Sequence, residues 1–221
     1  MMADLWLVRH GQAGEMMGEY DLLSERGWEQ ARVAGAGWRH IAPVSHTIHG
    51  AMRRHRETAQ GFAEGFGGLP DPVEDAAWNE FDHQAVIRSA LGSGMQPDAS
   101  QGRAGFFRFF LDAMGRWADG DHDADYPEPY ADFQARVVAG LERATARLGK
   151  GETGVVFTSG GAISAVCRHL LDLTPQKAFT LNLSLVNTGV TRLRVAPGWT
   201  TLASLNVHAH LDSRPELLTH S

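Results

Sequence analysis

Short apolar runs alternate along the chain with amphipathic segments, which is the pattern of strands followed by helices. The run Leu5-Trp6-Leu7-Val8 consists of bulky apolar residues and predicts a buried strand near the N-terminus. Gly154-Val155-Val156-Phe157 predicts a second buried strand in the same way. In total, the pattern predicts strands at residues 5–8, 44–49, 154–157, 190–195 and 200–207, with a short extended piece at 72–74.

Helix signals lie between these strands. Ser24 supplies a capping hydroxyl for one helix, and Thr174 before Pro175 opens another in the same way. The pattern predicts helices at residues 24–40, 53–66, 106–117, 131–148 and 162–171, with a short one from residue 174. Strands that alternate with helices favour a three-layer α/β/α fold with a mostly parallel central sheet.

Residues from about 83 to 129 break this alternation. Gly, Ser, Pro and Asp surround one aromatic helix there, Phe106 to Trp117. We interpret this segment as a helical insertion in a single domain that spans residues 1–221, because a chain of this length usually forms one domain.

Composition excludes several classes of protein. The net charge is −6 with no basic block, so neither the charge nor its distribution indicates a nucleic-acid partner. No apolar run approaches the roughly 20 residues that cross a bilayer, so we expect no membrane partner. The single cysteine, Cys167, is typical of a reducing compartment, and the first strand starts too close to Met1 for a signal peptide. We therefore expect a cytoplasmic protein.

The first strand leads directly into Arg9-His10-Gly11. In open α/β sheets, ligands bind at the carboxyl ends of the strands. An arginine suits phosphate or carboxylate, a histidine can act as nucleophile or proton carrier, and a glycine lets the backbone approach a ligand. This tripeptide is therefore the first candidate for a catalytic site.

Five ordered motifs together resemble the histidine phosphatase superfamily, the phosphoglycerate-mutase-like proteins. The motifs are Leu7-Val8-Arg9-His10-Gly11, Asp21 to Gly27 with Gln30-Ala31, Arg53-Arg54-His55-Arg56-Glu57-Thr58-Ala59, Asn79-Glu80-Phe81, and Leu205-Asn206 with His210-Leu211. Their joint occurrence over most of the chain is specific. The first loop, at Met16, Met17 and Gly18, has no counterpart of the polar asparagine-type contact often found in the family.

The resemblance implies a function for each matching residue. His10 would attack phosphorus and form a phosphohistidine, a covalent intermediate. Arg9 and Arg54 would hold the phosphate oxygens, and Glu80 would protonate the leaving alkoxide and then activate water. It implies no cofactor. No pair of histidines has the spacing of a zinc site, so the sequence does not indicate a metal either.

One position departs from the family pattern. The family carries Ser-His-Gly-Gly after its buried strand, and that histidine contacts the phosphate, whereas this chain has Ser159 at the position of the histidine. Ser159 and the backbone of Gly160 can still donate hydrogen bonds to an anion, although without a positive charge. His83 and His208 are the histidines we consider as substitutes. If neither fills the role, Ser159→His should raise turnover.

These features support a metal-independent phosphatase that acts on a small phosphorylated metabolite. The loss of the histidine at Ser159 motivates an alternative, a catalytically weakened phospho-ligand-binding or regulatory protein. A phosphoglycerate-type mutase is a third reading. The sequence favours it less than the other two, because the missing histidine should weaken retention of the phosphoryl group. The aromatic side chains of residues 106–117 indicate a packed insertion or a contact in a homodimer.

Overall fold

The computed structural model describes residues 2–14 and 21–220. Within them lies a six-stranded sheet in the order β3-β2-β4-β1-β5-β6. The strands are β1 (Ala3–Arg9), β2 (His46–His49), β3 (Val73–Glu74), β4 (Thr153–Thr158), β5 (Val190–Ala196) and β6 (Trp199–Val207). The first four pair in parallel, and β5 and β6 extend the sheet antiparallel beside β1.

Helices cover both faces of this sheet. They are α1 (Glu25–Trp38), α2 (Arg53–Phe66), α3 (His83–Gly92), α4 (Gly102–Ala118), α5 (Tyr130–Ala146), α6 (Gly160–Leu171) and α7 (Pro175–Ser184). Ser24 caps α1 and Thr174 caps α7, as predicted. The predicted three-layer fold is confirmed. Because the described part of the chain begins again at residue 21, the loop residues Met16, Met17 and Gly18 lie outside it.

Alternate side chains of β1 enter two separate cores. Leu5 and Leu7 pack with the core that includes α5 and α6, whereas Trp6 and Val8 pack with α1 and α2. All four are almost completely buried. Successive side chains of a strand point to opposite faces, so a continuous apolar run is what a strand between two helical layers requires.

Residues 83–129, which we interpreted as an insertion, differ from the prediction of one aromatic helix, because they contain two α-helices, α3 and α4. Asp82 caps α3 by accepting a hydrogen bond from the backbone N–H of Ala85. Only three residues of α3 are buried, so its apolar stripe is short and is hard to recognise in the sequence. On α4, Phe109 and Trp117 are buried in the core that includes α5 and α6. No helix in the described part of the chain is long and apolar enough to span a membrane.

Candidate active site

His10 lies at the carboxyl end of β1, where the register pairs Arg9 with Thr158 of β4. Its backbone N–H donates to the carbonyl of Thr158 at 2.8 Å. Its Nδ1 is 2.7 Å from the carbonyl oxygen of Gly11, so we assign the ring proton to Nδ1. The lone pair is then on Nε2. Only 6% of His10 is exposed, and burial, followed by the charges of Arg54 and Arg9, lowers its pKa well below the ordinary value. The imidazole is therefore neutral and nucleophilic at neutral pH.

Gly11 allows this loop to pack directly on α1. A Cβ at this position would lie 2.4 Å from the carbonyl oxygen of Gly27, which is closer than real Cβ contacts come. The N–H of Gly11 donates to Thr58 Oγ1 on α2 at 3.1 Å. The loop that carries His10 is thus held between the two helices on one face of the sheet.

Two arginines lie close enough to His10 for their charges to lower its pKa. Arg54 is in the first turn of α2, is 4% exposed, and donates through Nη1 to Asp21 Oδ1 at 2.9 Å. Arg9 donates through Nη1 to the carbonyl of Leu185, and its Nε lies beside Gly160. Both guanidinium groups are therefore oriented by the fold, which is what recognition of an anion requires.

Glu80 reaches the same edge of the sheet from the loop after a short 3₁₀ turn, Ala76–Trp78. Its Oε2 accepts from the backbone N–H of Gly161 at 3.0 Å, in the first turn of α6. A Cβ at Gly161 would lie 1.9 Å from Glu80 Oε1, so the carboxylate can occupy this position only because residue 161 is a glycine. Thr158 Oγ1 donates to the carbonyl of Trp78 at 2.6 Å and holds the loop to the end of β4.

Ser159 is the N-cap residue of α6, and Gly160 is the first residue of this helix. Ser159 Oγ lies 2.6 Å from Nε2 of His55, in the first turn of α2. The ring centroids of His55 and His10 are 5.9 Å apart. The structure thus brings a second histidine beside His10 and Ser159, and this histidine comes from the motif that also contains Arg54.

Our sequence reasoning missed His55, although its position directly after Arg54 was a usable signal. His83 begins α3, and its backbone N–H donates to the carbonyl of Phe81. His208 lies beyond β6, with Nδ1 2.7 Å from the carbonyl oxygen of Asn206. The structure places His55 within hydrogen-bond distance of Ser159. The proposed roles of His83 and His208 as substitutes stay predictions.

The site contains two further polar residues that the sequence reasoning did not assign to it. Asp21 accepts a hydrogen bond from the backbone N–H of Arg53 at 2.8 Å and another from the side chain of Arg54. The same carboxylate therefore caps α2 and orients the guanidinium group of Arg54. Asn187 donates through Nδ2 to the carbonyl of His10 at 3.0 Å. Among residues 2–14 and 21–220, His, Cys, Asp and Glu side chains form no group of three that could hold a metal ion.

Comparison with known proteins identifies the family. The sequence profile described as "Histidine phosphatase superfamily (branch 1)" matches residues 5–208. A search of the curated proteins found no match.

Several solved structures share the fold. A mutant phosphoserine phosphatase from Entamoeba histolytica in complex with phosphoserine has a TM-score of 0.66 and 19% identity, covering 95% of this chain and 100% of that one. Phosphoglycerate mutase from Bacillus anthracis has a TM-score of 0.69 and 15% identity, covering 95% of each chain. A mycobacterial glucosyl-3-phosphoglycerate phosphatase has a TM-score of 0.63 and 22% identity, covering 94% of this chain and 100% of that one.

Proposed function

Because the chain belongs to branch 1 of the histidine phosphatase superfamily, we propose that it is a metal-independent phosphomonoesterase that acts through a phosphohistidine at His10. The observation that carries this proposal is the state of the His10 ring. It is buried and neutral, it is held by Gly11 through Nδ1, and it keeps the lone pair of Nε2 for attack on phosphorus.

The first half of the reaction transfers a phosphoryl group from the substrate oxygen to His10. The P–O bond to the leaving group breaks as the P–N bond to Nε2 forms, and Glu80 delivers its proton to the departing alkoxide. Arg9 and Arg54 neutralise the charge on the phosphoryl oxygens, where stabilisation of the transition state is most effective.

The second half returns His10 to its free state. Glu80, now a carboxylate, takes a proton from a water molecule while the water oxygen attacks phosphorus and the P–N bond breaks. The products are inorganic phosphate and neutral His10. No step of this sequence needs a metal ion or an organic cofactor.

The proposed substrate is a small phosphorylated metabolite. Support for this class comes from the similar structures, which include a phosphoserine phosphatase and a phosphatase of glucosyl-3-phosphoglycerate. The chain has a single cysteine and so cannot form an internal disulfide, which supports the cytoplasmic location that we propose. A mutase is distinguishable from a phosphatase by the fate of the phosphoryl group, which a mutase returns to its substrate and a phosphatase transfers to water.

Hydrolysis of an aryl phosphate tests the proposal, measured for the wild type and for His10→Ala with and without a chelator. We expect activity in the wild type that a chelator leaves intact and that His10→Ala abolishes. His169→Ala is the matched control, because His169 lies exposed at the far end of α6. Activity that a chelator removes and a divalent cation restores would refute the proposed mechanism. Phosphate binding without turnover would favour the binding-protein alternative.

A further inference from the structure

A buried pair formed by His55 and Ser159 lies next to His10 and belongs to none of the steps above. Both side chains are 0% exposed, and the Nε2–Oγ distance is 2.6 Å. The pair joins the first turn of α2 to the N-cap of α6, the two helices whose N-termini meet at the site. The imidazole centroids of His55 and His10 are 5.9 Å apart, so the pair lies beside the ring that carries the phosphoryl group in the proposed mechanism.

Ser159 is unusual for a serine at an N-cap position. Such a serine commonly accepts a hydrogen bond from the first turn of its helix, as Ser24 does from the N–H of Gly27. Ser159 makes no such bond. Glu80 accepts from the N–H of Gly161 instead, which leaves Ser159 Oγ to pair with His55.

The surroundings of His55 determine which of its nitrogens carries the proton. Nδ1 makes no hydrogen bond within the described part of the chain, whereas Nε2 contacts Ser159. An unpaired N–H in a buried position is costly, so the proton of the neutral ring is assigned to Nε2. Burial, then the charges of Arg54 and His49, lowers the pKa of His55 well below its ordinary value and keeps the ring neutral. Nε2 is then the donor and Ser159 Oγ the acceptor.

Gly50 provides the space that the ring needs. A Cβ at this position would lie 2.3 Å from Nδ1 of His55, so the ring could not keep this position beside a larger residue. Gly50 thus leaves room for the ring of His55 on the side of Nδ1, and Ser159 binds it on the side of Nε2.

We propose that His55 and Ser159 act as one phosphate-binding unit, in which His55 donates to Ser159 Oγ and the hydroxyl proton of Ser159 is thereby directed to a phosphoryl oxygen. Ser159 is then a catalytic residue and His55 a positioning residue that acts through it. The pair supplies a donor at the position where Ser159 replaces the family's histidine. This inference rests on the proposed phosphatase function, because it needs a phosphoryl group on His10.

Two replacements of His55 separate hydrogen bonding from packing. His55→Phe keeps a ring of similar volume but removes the donor, and His55→Gln keeps an N–H near the position of Nε2. We expect His55→Phe to lower kcat by about 100-fold, the size of losing one preorganised donor. We expect His55→Gln to recover most of that loss. Thermal unfolding checks that each variant is folded, and His169→Ala is the control.

A double-mutant cycle tests whether the two residues form one unit. Ser159→Ala should lower kcat about as much as His55→Phe, and the double variant should lose about 100-fold rather than the product of the two losses. Folded His55→Phe that retains the kcat of the wild type, or losses that multiply, would overturn the inference. If Ser159→Ala keeps full kcat, the inference also fails, whatever the folding of the His55 variants.

Ser159→His bears on the same unit. An imidazole at residue 159 would overlap the ring of His55, so we expect the single variant to lose activity rather than gain it. Adding His55→Ala should then restore kcat toward that of the wild type. A gain from Ser159→His alone would contradict the inference.

His10→Ala tests the proposed function separately. Activity retained in that variant would refute the proposed function itself, whereas the His55 and Ser159 variants test only the role of this pair.

Discussion

Replacing Gly161 by alanine should disable the acid Glu80 without touching the nucleophile. The added Cβ would lie 1.9 Å from Glu80 Oε1, whereas ordinary contacts begin at 3.4 Å, so the carboxylate must move by about 1.5 Å. That movement also breaks the 3.0 Å hydrogen bond from the N–H of Gly161 to Oε2. A misplacement of about 1 Å can cost about 100-fold in rate, which is also within the range of losing a general acid.

The assay compares two substrates of different leaving group. We expect kcat/KM for an alkyl phosphate to fall by about 100-fold in Gly161→Ala, because an alkoxide needs a proton as it leaves. The loss for 4-nitrophenyl phosphate should be much smaller, since nitrophenolate leaves readily without one. Because Gly161→Ala and Glu80→Gln remove the same function, their effects should not add.

Gly115→Ala is the matched control. Gly115 lies within α4, and a Cβ there would have no atom within 4 Å. Alanine is the better helix former, so this variant should be more stable by about 0.5–1 kcal/mol with unchanged kcat/KM. Equal losses on both substrates in Gly161→Ala, or no loss on either, would refute the role assigned to Glu80.

Gly11→Ala should destabilise the protein and lower its midpoint in urea, because its Cβ would lie 2.4 Å from the carbonyl of Gly27; an unchanged midpoint would contradict this packing. Burial raises the pKa of Cys167 to about 12, so a maleimide should label it only after denaturation, as mass spectrometry would show. The pKa values of His10, His55 and His210 are lowered, that of His210 to about 4, so the unfolded state binds more protons. The free energy of unfolding, measured by urea titration at several pH values, should therefore fall as the pH drops below about 6.5. In His210→Gln, this free energy should depend less steeply on pH.

Periodicity and capping predicted most of the fold. The apolar run of β1 and the capping residues Ser24 and Thr174 are local signals, and each marks an element that the structure contains. The helix α3 was missed because its buried stripe consists of Ala85, Val86 and Ala90, which is too short for a clear helical period.

Residues of the candidate site could be proposed from the sequence where each lies within a recognisable local motif. Arg9, His10, Arg54 and Glu80 all lie within motifs that the sequence shows directly. The pairing of His55 with Ser159 is different, because 104 positions separate the two residues and only the parallel alignment of β2 and β4 brings them together. A sequence pattern that is read one segment at a time cannot reveal a contact of this kind.

Trapping the covalent intermediate tests the central claim most directly. Labelled substrate is mixed rapidly with the protein, the reaction is quenched, and the adduct is mapped by proteolysis and mass spectrometry. We predict a phosphoryl group on His10 that is stable in base and labile in acid, that is absent from His10→Ala, and that forms in the presence of a chelator. Turnover of the substrate with no adduct on His10, or with the label on another residue, would contradict the account.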